Sequence, residues 1–289
     1  MNTEIMGVVN LTPNSFSDGG RYQSDHSLID HLNYLIQEKA TVLDIGGEST
    51  APMNEAIGEK AERERLSLFI DNYHEFLKEC DGLKRLTLSL DSFRVKNVQW
   101  FMEELLIKGV SEDKLIWNDV SGSLDDELRY TLKSFPSLRY IFCHNLAPGR
   151  EKSGDHMDFA FEGDDLIGCM KEFFKPVIEE FPRHLILDPC FGFSKTYEQN
   201  IFLFSRWREL TQLFPHWVFG VSKKSFLRES LKKIHGLERS KEESFHDSEH
   251  LHLLWLCKVL RNSSHLDSLY LRVHSPLVAQ IALDWVKTQ

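Results

Sequence analysis

The chain has 289 residues, 42% of them hydrophobic, with 34 Lys and Arg against 44 Asp and Glu, a formal net charge of −10. That balance argues against a nucleic-acid partner, whose backbone needs clustered cations, but a local basic pocket on an acidic protein still holds a small anion. Five cysteines without a CxxC pair, and a start MNTEIMGVVN lacking a basic flank and a long apolar run, lead us to expect a reduced, cytoplasmic protein. No stretch reaches the roughly 18 uninterrupted apolar residues of a membrane helix, so no membrane partner is expected.

Short runs rich in Val, Ile, Leu and Phe predict strands, and the amphipathic stretches between them predict helices. The first strand is expected at residues 5–10, followed by a helix over 27–39 that Ser24 caps. A strand at 41–47 (TVLDIGG) precedes a long helix over 55–78, and a strand at 85–92 (RLTLSLDS) precedes a helix over 95–108. Then come a strand at 115–121 (LIWNDVS), a helix that Ser123 caps, and a strand at 139–145 (RYIFCHN) before a helix over 164–180. The last strands fall at 184–190 (HLILDPC), 216–222 (HWVFGVS) and 268–274 (SLYLRVH), with a helix over 199–214 between the first two. The charged stretch 236–249 reads as a solvated loop or a helix start.

Strict alternation of strands apolar on both faces with helices means a parallel sheet. Eight such units close most naturally into a single-domain (β/α)8 TIM barrel spanning 1–289, an α/β fold for which about 250 residues is typical. An open doubly wound sheet is the alternative, but no GxGxxG follows the first strand.

In such a barrel the strand C-termini share one face, where the chemistry sits. Here every run ends in polar residues: Asn10; Asp44 with Glu48; Asp91; Asn118 with Asp119; His144 with Asn145; Asp188; Ser222 with Lys223 and Lys224; Arg272 with His274. Asp91, Asn118 and Asp188 follow apolar residues, which places them at the lumen rim, where a buried carboxylate needs a partner. That partner is either a heterocycle presenting N–H and NH2 donors, such as a pterin or guanine edge, or simply Lys224 or Arg272. The cations on the last two strand ends, with a helix start at Ser225, fit an anionic group such as a phosphate or diphosphate. Asn10 offers one neutral oxygen to a divalent ion, so phosphates would have to complete its shell. The loops after the first two strands, 10–20 and 46–54, are rich in Gly, Ser, Pro and Asn, as lids over barrel sites often are.

The motifs MGVVNLTPNSFSDGG (6–20), LDIGGESTAP (43–52), SLDSFR (89–94), WNDVSG (117–122), LDPCFGFSK (187–195), GVSKKSF (220–226) and RVH (272–274) resemble, in order, those of the dihydropteroate synthases. The resemblance implies condensation of 6-hydroxymethyl-7,8-dihydropterin pyrophosphate with p-aminobenzoate, releasing pyrophosphate, in folate biosynthesis by a homodimer. It implies that Asp91, Asp188 and Lys224 act in catalysis and, with Asn118, hold the pterin. It places Thr50, Arg272 and His274 at the pyrophosphate, Phe193, Lys224 and Ser225 at the p-aminobenzoate side, and Mg2+ on Asn10. The late helices, including Leu253, Leu254, Trp255 and Leu256, supply core or interface.

The chain departs from the family pattern at several positions. Ala51 stands where the family has an Arg that contacts pyrophosphate, with Lys60 and Arg63 the nearest replacements; loss of such a charge-assisted contact costs about 1.5–3 kcal/mol. Cys190 stands for a Gly, Ser194 for a smaller residue, Lys223 for an Arg, and Ser275 for the Asp that would orient His274. These changes keep two other readings open: a pterin-binding paralogue without synthase activity, and a methyltetrahydrofolate-dependent methyltransferase. The methyltransferase needs no diphosphate site, so Asn10, Lys224, Arg272 and His274 count against it.

Overall fold

A computed structural model describes residues 1–11, 25–48, 57–236 and 241–289. Each predicted apolar run forms a strand: β1 Asn2–Asn10, β2 Val42–Gly46, β3 Thr87–Asp91, β4 Leu115–Asp119, β5 Arg139–Cys143, β6 Leu185–Asp188, β7 His216–Phe219 and β8 Ser268–Val273. All pair in parallel and in chain order, and β8 returns to β1, so the sheet is a closed barrel. The helices outside it are α1 Asp25–Gln37, α2 Glu59–Asp71, α3 Tyr73–Glu79, α4 Val95–Ile107, α5 Asp126–Ser134, α6 Leu166–Glu180, α7 Tyr197–Ser205, α8 Trp207–Thr211, α9 Ser225–His235, α10 Lys241–Arg261 and α11 Pro276–Lys287.

Side chains alternate across each strand, and the alternation divides the core in two. Leu115, Trp117, Tyr140, Phe142, Leu187, Trp217 and Phe219 pack outward against the helices. Met6, Val42, Ile116, Ile141, Ile186, Val218 and Tyr270 fill the lumen. Arg139 closes the N-terminal end, donating to the Tyr270 hydroxyl at 2.7 Å and to Thr87 Oγ1 at 3.1 Å. The other end of the lumen is left to polar groups.

Helix boundaries differ from the sequence expectation where single side chains intervene. The expected helix over 55–78 is broken at Asn72, whose amide donates to Leu68 O at 3.0 Å, a local bond that competes with helix continuation. The expected helix over 199–214 breaks at Arg206, and Trp207 turns inward to pack on Trp217 and Phe219, its indole N–H on Ser263 Oγ at 2.8 Å. The cap of α5 is Asp125, not Ser123: its carboxylate accepts the Leu128 N–H at 2.8 Å and complements the helix dipole as a hydroxyl does not. Ser24 lies outside the described residues. Of the charged stretch 236–249, Gly236 ends α9 in a left-handed turn (φ 63°), α10 starts at Lys241, and 237–240 lie outside the description.

Candidate active site

The lumen-facing ends of β2, β3, β4 and β8 meet in one buried cluster. Arg272 on β8 reaches across the barrel mouth, its Nε 2.6 Å from Asp44 Oδ2 and its Nη2 2.7 Å from Asp91 Oδ2. Asp44 is buried and also accepts from Ser89 Oγ at 2.7 Å and from the Asn118 amide at 3.1 and 3.3 Å. A carboxylate only accepts, so the Asn118 NH2 must face Asp44, and its carbonyl oxygen is what it offers to a ligand. One guanidinium thus serves two carboxylates. Burial raises the Asp91 carboxyl to about 7 against the pull of Arg272, and the Asp44 charge adds to the rise. Burial works against the charge on Arg272, but the two carboxylates outweigh that desolvation and keep it ionised.

Asp119, the neighbour of Asn118, faces the other way. It accepts from the Tyr140 hydroxyl at 2.7 Å and pairs with buried Arg150 at 2.6 Å, which also grips Asp125 at 2.7 Å. His144 likewise points outward, edge-on to Phe173 and Phe174. These two strand-end polar groups brace the helix layer and are not part of the lumen.

Asp188 closes the cluster on the β6 side. It accepts the Cys190 N–H at 2.6 Å and lies 3.8 Å from Cys143 Sγ, and burial raises its pKa while Lys224 and that N–H oppose the rise. The loop after β6 is held from beneath by Lys195. Its buried ammonium donates to the carbonyls of Phe193 (2.8 Å), His144 (3.1 Å) and Cys190 (3.4 Å), and burial lowers it to about 8. Phe193 is clamped between two groups: His156 stacks on it at 3.8 Å, and the Lys224 ammonium sits 4.8 Å from its ring centre. Gly192 adopts φ 83°, and a Cβ there would stand 3.2 Å from Lys224 Cδ, so this glycine sets how closely the two loops approach.

Lys224 also donates to Phe191 O and caps α9 through its backbone, which leaves exposed Ser225 and the first amides of that helix at the barrel mouth. His274 follows β8, its Nδ1 3.1 Å from Ser222 Oγ, and burial and nearby Lys223 lower it to about 3, a neutral imidazole at neutral pH. Asn10 ends β1 half-buried, in register with Gly46 of β2, which in turn is in register with Asp91. The structure therefore gathers Asn10, Asp91, Asn118, Asp188, Phe193, Lys224, Ser225, Arg272 and His274 at one end of the barrel. Thr50 lies outside the described residues.

Ala51 is also outside them. Neither neighbouring cation stands idle: Lys60 is 3.8 Å from Glu64, and Arg63 lies over Trp100 and donates to Lys96 O at 3.3 Å. Cys190 takes a left-handed backbone (φ 54°), a conformation a Gly adopts freely. Ser222 holds His274 in place of the absent Asp, and Ser275 turns away to Tyr34 at 3.2 Å. Sequence reasoning gave no role to Asp44, whose partner is 228 residues distant, or to Lys195, whose buried ammonium no local pattern reveals.

The pterin binding enzyme family matches residues 6–261 of this chain. The dihydropteroate synthase of Synechocystis is 30% identical over 243 residues, 82% of this chain and 77% of that protein. That of Bacillus subtilis is 29% identical over 78% of this chain and 72% of its own length. Among solved structures, the dihydropteroate synthase of Clostridium difficile in the presence of pteroic acid superposes with a TM-score of 0.77 at 25% identity, covering 99% of this chain and 96% of that one. That of Xanthomonas albilineans with 4-aminobenzoic acid gives 0.73 at 26% identity, covering 100% and 93%. With a closed parallel barrel and a carboxylate-lined mouth, the chain belongs to the pterin binding enzymes and, among them, to the dihydropteroate synthases.

Proposed function

We propose that this chain condenses 6-hydroxymethyl-7,8-dihydropterin pyrophosphate with p-aminobenzoate, and that the lumen mouth is where it does so. The observation that carries the assignment is the acceptor set of Asp91, Asp188 and the Asn118 carbonyl, on three strand ends at one end of the barrel, beside a cationic rim. An amino-pyrimidinone edge carries only donors where these groups accept, so Asp188 and Asn118 take that edge. Asp91, backed by Asp44 and Arg272, faces the ring.

Chemistry follows from this charge pattern. As the bond from the pterin methylene to oxygen breaks, positive charge spreads over the ring and Asp91 and Asp188 stabilise it. The diphosphate leaves toward the Arg272 guanidinium and His274 Nε2, which have N–H or ring nitrogen positions without a hydrogen-bond partner among the described residues, and toward the α9 amides. The arylamine lone pair then attacks the methylene, and the nitrogen loses its proton to solvent. Phe193, Lys224 and Ser225 frame that side, with Phe193 fixed by His156.

Mg2+ takes oxygen ligands. Asn10 would contribute one, and Asp44 and Asp91 are already committed to Arg272, so the ion would draw its other oxygens from diphosphate and water and would neutralise the leaving group. We assign the protein to the cytoplasm, where its unpaired cysteines stay reduced. We further assign a homodimer, joined where Leu277, Ile281 and Trp285, four residues apart, line one exposed face of α11.

The test is product formation: the purified chain with both substrates and Mg2+ should yield dihydropteroate, and Asp188→Asn should lower kcat/KM by about 100-fold or more. An unchanged rate in the variant would remove Asp188 from the reaction.

A further inference from the structure

Two buried cysteines of the lumen fall side by side. Cys143 ends β5 and is in direct register with Asp188 of β6. Cys190 lies two residues beyond Asp188, where its left-handed backbone turns the side chain into the same lumen cluster. The Sγ of each cysteine and a carboxylate oxygen of Asp188 all lie within 4.8 Å of one another, and Cys143 Sγ is 3.8 Å from Asp188 Oδ2.

We propose that Cys143, Cys190 and Asp188 form a binding site for a soft divalent transition ion such as Zn2+. Bonds of ~2.3 Å to sulfur and ~2.0 Å to oxygen at tetrahedral angles place sulfur and oxygen donors about 3.5 Å apart and two sulfurs about 3.8 Å apart. The donor triad is therefore within about an ångström of a coordinating arrangement before any ion arrives. Two metal–sulfur bonds form as two thiol protons pass to solvent. Two thiolates and a carboxylate leave one net negative charge around a divalent ion, and Lys224, Arg272 and Lys195, which all act on Asp188, offset it. Three protein donors leave a fourth tetrahedral position for water, on the side where Asp188 keeps some exposure. Thiolate ligands select this class of ion over Mg2+. Because Asp188 is shared, the ion and the pterin exclude one another; that consequence rests on the synthase reading, whereas ion binding does not.

The test is titration of the full chain with Co2+ under a phosphine reductant, read by the thiolate-to-cobalt charge-transfer band. One ion per chain is expected, displaced by Zn2+ and not by excess Mg2+. Cys190→Gly, which the local backbone accepts, and Cys143→Ser should each weaken binding by roughly tenfold or more, at least the loss seen for an outer-shell partner. No band, or an equal band in both variants arising from Cys80, Cys169 or Cys257, would overturn the site. Saturating 6-hydroxymethylpterin should abolish the band, and a band that survives bound pterin overturns the shared ligand. Failure of the metal-free chain to bind pterin at all would instead count against the synthase reading.

Discussion

One guanidinium between two carboxylates leaves the cluster at the barrel mouth a net anion when both are ionised, and Asp91 holds its proton more tightly for it. The sign of the pH effect follows. Asp91 stabilises a cationic transition state only when ionised, so activity should rise with pH through about 7 and then level off. We expect log kcat/KM to climb with unit slope below that point in a pH–rate profile, and Asp91→Asn to lower the plateau and erase the limb. A profile flat from pH 5 to 8 in the unaltered chain would contradict this role. The raised carboxyl also means that keeping Asp91 ionised costs the folded state increasingly as pH rises from its ordinary 3.8 toward 7, a cost accepted at the site of reaction.

The loop after β6 illustrates how an element is positioned from beneath. Lys195 stitches three carbonyls together while Gly192 lets Lys224 approach and Cys190 supplies an N–H to Asp188. Lys195→Met keeps the stem's bulk but strands buried acceptors, each worth about 1–3 kcal/mol. Urea denaturation should show a loss on the order of 3 kcal/mol, with pterin affinity falling as the Asp188 loop loosens; a change below 0.5 kcal/mol would show that the brace is dispensable. Elements of this kind were partly legible. Apolar runs with polar ends located all eight strands and the face that carries the site, because alternation and burial are local properties. Asp119 and His144 misled, since period-two geometry turns them outward beside inward-facing Asn118 and Cys143. The Asp44–Arg272 pair and the Lys195 brace were not legible, because both depend on barrel closure and loop packing.

Across the molecule, α10 packs against α11, α9 and, through Trp255 on Phe204, α7, while α11 packs on β1 and β8. Because α11 begins at the barrel mouth after β8 and runs away from it, burying Ile281 and Trp285, beyond its first turn, against a second copy would leave the mouth open. Ile281→Glu with Trp285→Glu should convert a dimer to a monomer in sedimentation velocity, with the far-ultraviolet spectrum preserved. A double variant that still sediments as a dimer would place the interface elsewhere.

On this proposal the barrel mouth transfers a pterin methylene from diphosphate to an arylamine. The most direct test is quantitation of pyrophosphate and dihydropteroate together, from the pterin pyrophosphate and Mg2+, with and without p-aminobenzoate. Stoichiometric formation of both products is expected when the amine is present, despite Ala51. Substrate binding without either product would contradict it and identify a pterin-binding protein that does not carry out the condensation.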